Sequence, residues 1–179
     1  KSGDMLVNAG DYKTAIEIYN QAIPHLQYTE ALKIKIGQMY LTQNDYTNAI
    51  KIFMEVHDSS PNEYTRAQTN LLAGQGYLAL GLPEQAYARF QESVENYPKA
   101  YDSYSGLLAL VEADIPVNDF YRGLVDYYAA QYGVAIDAFN RYISANPEHN
   151  GSAHYYVGLA WQALDEPEKA IKEWQVLIN

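Results

Sequence analysis

The chain has 179 residues, with 12 Lys and Arg against 22 Asp and Glu, a formal net charge of −10, 48% hydrophobic residues and no cysteine. The length and apolar fraction suit one folded domain, and the absence of Cys excludes disulfide scaffolds, thiolate zinc sites and cysteine nucleophiles. The acidic balance speaks against binding to nucleic-acid phosphates or anionic membrane surfaces, and no apolar run approaches the roughly 18 residues that would span a bilayer.

Along the chain, one phrase recurs. It runs Gly10-Asp11-Tyr12-Lys13-Thr14-Ala15 with Tyr19, then Asn44-Asp45-Tyr46-Thr47-Asn48-Ala49 with Phe53. The third copy is Gly81-Leu82-Pro83-Glu84-Gln85-Ala86 with Phe90, and the fourth is Ala130-Gln131-Tyr132-Gly133-Val134-Ala135 with Phe139. Asp165-Glu166-Pro167-Glu168-Lys169-Ala170 with Trp174 completes the set. The alanines are spaced by 34, 37, 49 and 35 residues. Twelve residues before the last four of them stand Gly37, Gly74, Gly123 and Gly158. Three residues after each glycine comes Tyr40, Tyr77, Asp126 or Trp161, and Pro61, Pro98 and Pro147 close three copies.

Self-similarity at this period marks stacked helical hairpins. Ala31–Leu41 and Tyr46–Val56 read as one antiparallel pair, with Ile34, Ile36, Met39, Tyr40 and Ile50, Phe53, Met54 at helical spacing. The small Gly and Ala positions let paired helices approach, the aromatic fills the adjoining gap, and the proline ends the second helix. The expected units are 1–29 (partial), 30–63, 67–100, 116–149 and 151–179 (partial), forming one domain over 1–179. The segment 101–115 reads as an extra helix that stops before Pro116. The chain begins and ends within repeats, and solenoids need capped ends, so more protein is expected to follow.

The Gly, aromatic, Ala, aromatic, Pro pattern resembles the tetratricopeptide repeat family over nearly the whole chain. The resemblance implies an all-α, right-handed superhelical solenoid of antiparallel helix pairs, about ten helices in all. It also implies that the first helices of successive units line a concave groove for a protein or peptide partner. The family's groove positions fall here on Ile34, Gln38 and Leu41; on Leu71, Gln75 and Leu78; on Phe120, Leu124, Tyr127 and Tyr128; and on Tyr155, Leu159 and Gln162. Members that clamp a C-terminal carboxylate use Lys, Asn and Arg at such positions. Ile34, Gln38, Leu71 and Gln75 stand there instead, so that clamp is not expected. These positions make a neutral, aliphatic-to-aromatic groove, in a chain with 18 Tyr against four Phe and two Trp. Tyr127, Tyr128 and Tyr155 are its candidate anchors, and many of the other side chains have an equal claim to be helix-packing residues.

Residues 118–178 bear a narrower likeness. The Arg122-Gly123, Tyr127-Tyr128 and Ala170-Ile171-Lys172-Glu173-Trp174 phrases resemble the helical region that precedes the catalytic domain of soluble lytic murein transglycosylases. This likeness implies, as an alternative, the non-catalytic arm of such an enzyme, positioning peptidoglycan strands. It leaves the compartment open between periplasm or export and cytoplasm, and no signal-peptide pattern stands at Lys1-Ser2-Gly3-Asp4.

No catalytic site, metal site or cofactor is expected within the chain. His149 and His154 do not have the spacing of a helical metal pair, and with His25 and His57 they read as structural or solvated. Gly74-Gln75-Gly76-Tyr77-Leu78-Ala79 mimics a dinucleotide fingerprint but follows no strand. Gln91-Glu92-Ser93 mimics a transglycosylase Glu-Ser pair but falls in the second helix of a repeat. Carboxylate pairs such as Glu166 and Glu168 read as a solvated face.

Overall fold

The computed structural model describes residues 2–148 and 150–178; His149 lies outside them. Among the described residues there are eleven α-helices and no strand. The chain divides into two compact units, 1–89 and 90–179, each taken by itself below.

In the first unit, α1 (Ser2–Asn8), α2 (Tyr12–Ala22), α3 (Glu30–Thr42), α4 (Tyr46–Ser59) and α5 (Glu63–Ala79) precede the start of α6 (Pro83–Asn96). The helices begin where the sequence supplies an acceptor for orphan N–H groups. Asp11 accepts from the Thr14 N–H at 3.2 Å, Asp45 from the Asn48 N–H at 3.2 Å and Asn62 from the Tyr64 N–H at 2.9 Å. Helix α3 is buried on two sides. Ile36 and Met39 join Ala15, Ile16 and Tyr19 of α2, whereas Ile34 joins Ala49, Phe53 and Val56 of α4 and Ala73 of α5. The Phe53 ring is fully buried against Gly37, whose missing Cβ makes room for it. Removing a ring of that size from water contributes about 1.5–3 kcal/mol.

In the second unit, the remainder of α6 leads to α7 (Tyr101–Glu112), α8 (Asp119–Tyr128), α9 (Tyr132–Ala145), α10 (Ser152–Ala163) and α11 (Pro167–Gln175). The expected extra helix is α7. It buries Leu107 and Leu110, and Ser103 Oγ donates to the Tyr97 carbonyl at 2.7 Å. The core joins Ala135, Ile136 and Phe139 of α9 to Ala153, Val157 and Ala160 of α10. Gly123 and Gly158 repeat the arrangement of Gly37, facing the Phe139 and Trp174 rings.

The turn inside each hairpin is also conserved along the chain. Gly10, Asn44, Gly81, Ala130 and Asp165 all have a left-handed backbone, with φ of 79°, 60°, 71°, 59° and 59°. Each stands five residues before its repeat alanine. The next residue's N–H then closes back onto the preceding helix: Asp11 to Leu6, Asp45 to Tyr40, Leu82 to Tyr77, Gln131 to Asp126 and Glu166 to Trp161, at 2.8–2.9 Å. This closure satisfies carbonyls that the helix end leaves bare.

Candidate functional site

The first unit contains a cleft of about 720 Å³. Helix α3 supplies its floor through Ala31, Ile34 and Gln38, and α5 adds Thr65 and Gln68. Leu26 and Tyr28, from the segment between α2 and α3, form an exposed apolar rim; Tyr28 is 85% exposed. On the wall, Asp4 accepts from Tyr19 Oη at 2.6 Å and pairs with Lys35. The Lys35 ammonium holds the Asp4 carboxyl below the usual carboxylate range, and burial pushes the Tyr19 phenol up.

Of the residues expected to line a groove here, Ile34 and Gln38 share this cleft. Ile34 is largely committed to the Phe53 core, whereas Gln38 is exposed. Leu41 and Leu71 are half-buried, and Leu41 packs on that same core. Gln75 and Leu78 are exposed on α5. The Gly74–Ala79 segment is helical throughout, so it forms no phosphate-binding turn.

In the second unit the tyrosines converge. Tyr127 and Tyr128 end α8, and Tyr155 and Tyr156 lie in the first turns of α10. The Tyr156 ring lies 5.5 Å from Tyr127, 6.3 Å from Tyr128 and 5.5 Å from Tyr155, and stacks on Phe139 at 5.7 Å with planes only 13° apart. Edge-to-face pairs at these separations are favourable. Tyr127 also meets Tyr132 at 5.7 Å. The hydroxyls of Tyr128 and Tyr156 lie 3.2 Å apart. Burial, then the hydrogen bond to Tyr128, pushes the Tyr156 phenol up to about 12. Burial also raises Tyr127. Tyr127 and Tyr156 are therefore neutral at physiological pH.

The expected anchors divide by depth. Tyr128 is 38% exposed and Tyr155 48% exposed, whereas Tyr127 is half-buried beneath them. Phe120 and Leu124 are half-buried and pack on the α9–α10 core. Leu159 is half-buried and Gln162 exposed. Sequence reasoning missed Tyr156, which joins the two exposed rings. It also missed Tyr101, 73% exposed at the start of α7, and Lys99, whose Nζ lies 5.7 Å from the Tyr128 ring centroid. The Tyr155-Tyr156 doublet was the available signal for the first. Nothing local marks Lys99, because its ring partner lies 29 residues away in sequence.

Asp126 departs from the pattern most. It occupies the position of Tyr40, Tyr77 and Trp161 and is only 3% exposed. Its Oδ2 lies 3.7 Å from Arg122 Nε, and neither buried atom has a hydrogen-bond partner. Burial pushes the Asp126 carboxyl up to about 6, against the pull of Arg122 and Arg141.

Among the described residues no three His, Asp or Glu side chains converge as a metal site, and no helix is long and apolar enough to cross a membrane. Gln91-Glu92-Ser93 lies inside α6.

Hairpins of this construction, with small residues under aromatic rings and left-handed turns at fixed register, define a helical-repeat protein. Tetratricopeptide repeat family models match residues 30–63, 68–100 and 122–175, together more than half of the chain. The chain belongs to the tetratricopeptide repeat family. That makes it a protein-interaction module. Among solved structures it resembles a tetratricopeptide repeat protein from Parabacteroides merdae. The TM-score is 0.53 at 14% identity, covering 99% of this chain and 76% of that one. MamA from Desulfovibrio magneticus matches at TM-score 0.47 and 15% identity, over 98% of this chain and 89% of that one. YrrB, described as a TPR protein with an unusual peptide-binding site, matches at TM-score 0.44 and 17% identity, over 98% and 81%. No curated protein matches the chain. The likeness to murein transglycosylase arms gains no support from these comparisons.

Proposed function

We propose that the chain is a non-catalytic scaffold that docks a segment of a protein partner on the inner faces of its repeats. The tyrosine face of α8 and α10 is the principal contact in this reading. The observation that carries it is the pairing of exposed Tyr128 and Tyr155 with a rigid underlayer of Tyr127, Tyr156 and Phe139. Half-exposed rings fixed from below offer a partner large contact area at little entropic cost. Aromatic side chains of this kind dominate interface energetics. The cleft over Ile34 and Gln38 supports the same reading for the first unit, with Leu26 and Tyr28 as apolar contacts and Gln38 and Gln68 as neutral amides facing a peptide backbone.

Peptides selected from a random library on the intact chain test this directly. They are expected to lose tenfold or more in affinity on the Tyr128→Ala, Tyr155→Ala variant. Undiminished binding by that variant would place the docking surface elsewhere.

A further inference from the structure

The charge of the chain is unevenly divided. Residues 90–179 hold five Lys and Arg against thirteen Asp and Glu, a formal net charge of −8, whereas residues 1–89 hold seven against nine, or −2. The tyrosine face therefore belongs to the strongly acidic unit.

Two aromatic rings of that unit already carry a cation. Lys99 Nζ lies 5.7 Å from the Tyr128 centroid and Lys169 Nζ lies 4.3 Å from the Trp161 centroid. An ammonium is held there by the negative face of the ring. Lys99 is exposed, and a strongly hydrated ammonium leaves such a site for water readily. A guanidinium is planar, less hydrated and stacks on the ring, so it is the better occupant.

We infer that the Tyr128–Tyr155–Tyr156 face takes an Arg- or Lys-bearing peptide segment, whose cation displaces Lys99 from the Tyr128 ring. The inference rests on the docking reading above and adds the charge of the partner. The unit's net charge of −8 steers such a segment inward and repels an acidic one. Three of the unit's cations are already engaged, Arg122 with Asp126 at 3.7 Å, Arg141 with Asp119 at 2.7 Å and Lys169 with Glu166 at 3.2 Å. Tyr155, joined to Tyr128 through Tyr156, offers a second ring to the next basic side chain. Lys99 thus acts as an internal competitor for its own binding face.

The test titrates the full chain, by tryptophan fluorescence and calorimetry, with three synthetic peptides: five Arg-Gly repeats, five Gln-Gly repeats and five Glu-Gly repeats. The Arg peptide is expected to bind at least tenfold tighter than the other two, and more weakly as salt rises. Tyr128→Leu keeps the apolar bulk but removes the ring, and should weaken it about twofold to fivefold. Lys99→Ala should tighten it by a similar factor. Lys172→Ala removes the same charge elsewhere on the unit and should do less. In the Tyr128→Leu background the gain from Lys99→Ala should disappear.

Equal or tighter binding of the Glu or Gln peptide would overturn the inference. So would a loss of affinity on Lys99→Ala, or a gain no larger than that of Lys172→Ala, or failure of all three peptides to bind. A Gln peptide that binds as well as the Arg peptide and is lost on Tyr128→Leu, Tyr155→Leu refutes only the charge assignment and leaves the docking face standing. The library selection above reads the docking face independently.

Discussion

Asp126 is a buried acid in a position where the other repeats carry an aromatic ring, and its energetics can be worked out. Its Oδ2 accepts no hydrogen bond, and Arg122 Nε, at 3.7 Å, is too distant to supply one. Desolvation therefore outweighs the attraction of Arg122 and Arg141, and the native carboxyl titrates near 6 rather than 3.8. The native state binds this proton more tightly than the unfolded chain does. Its stabilising contribution is full below pH 3.8 and is lost as pH rises through about 6. A shift of about two units at 1.36 kcal/mol each gives about 3 kcal/mol of stability lost across that window. Asp126→Asn cannot ionise and should not show the loss. Urea unfolding of both chains from pH 4 to pH 8 isolates the effect, since every other titrating group is common to the two. The stability of Asp126→Asn relative to the native sequence should rise by about 2.5 kcal/mol between those limits, since part of the loss already falls below pH 4. A difference that stays flat with pH, or one that falls, would refute the assignment of Asp126 as a desolvated acid.

Ala130 occupies a left-handed turn position at φ 59° that Gly10 and Gly81 fill elsewhere. A Cβ in that conformation costs about 1–2 kcal/mol, so Ala130→Gly should stabilise the chain by roughly 1 kcal/mol net of the extra freedom given to the unfolded state. A thermal melt shifted downward would contradict this. Gly123→Ala poses the opposite case. Helix propensity favours Ala by up to about 1 kcal/mol, but the new Cβ would lie 2.7 Å from the fully buried Phe139 ring. Overpacking of about 1–3 kcal/mol should win, and a variant more stable than the native chain in urea would show that the ring has room to move.

The repeat architecture was legible because its determinants recur at fixed spacing. Gly37 under Phe53, Gly123 under Phe139 and Gly158 under Trp174 are each separated by sixteen residues, the step from the first helix of a hairpin to the second. The helix that stops before Pro116 is an equally local signal. The expected groove positions include the exposed rings Tyr128 and Tyr155, but exposure itself was not readable. Ile34 and Tyr128 were both expected at groove positions, yet one is buried against α4 and α5 and the other reaches solvent.

The sequence by itself determined the helices, their turns and the hairpin register, because backbone hydrogen bonding and i to i+4 side-chain spacing are set within a few residues. Tertiary structure alone decided the chemistry of the surfaces. Tyr156 became the link between Tyr128 and Tyr155 because α8 and α10 bring their ends together across 28 residues of chain. Asp126 became a weak acid because its carboxyl is buried with no hydrogen-bond donor to Oδ2. Lys99 met the Tyr128 ring because the segment before α7 passes the end of α8. Burial, desolvation and cation–ring contact depend on distances between helices, and those distances are not written in any local pattern.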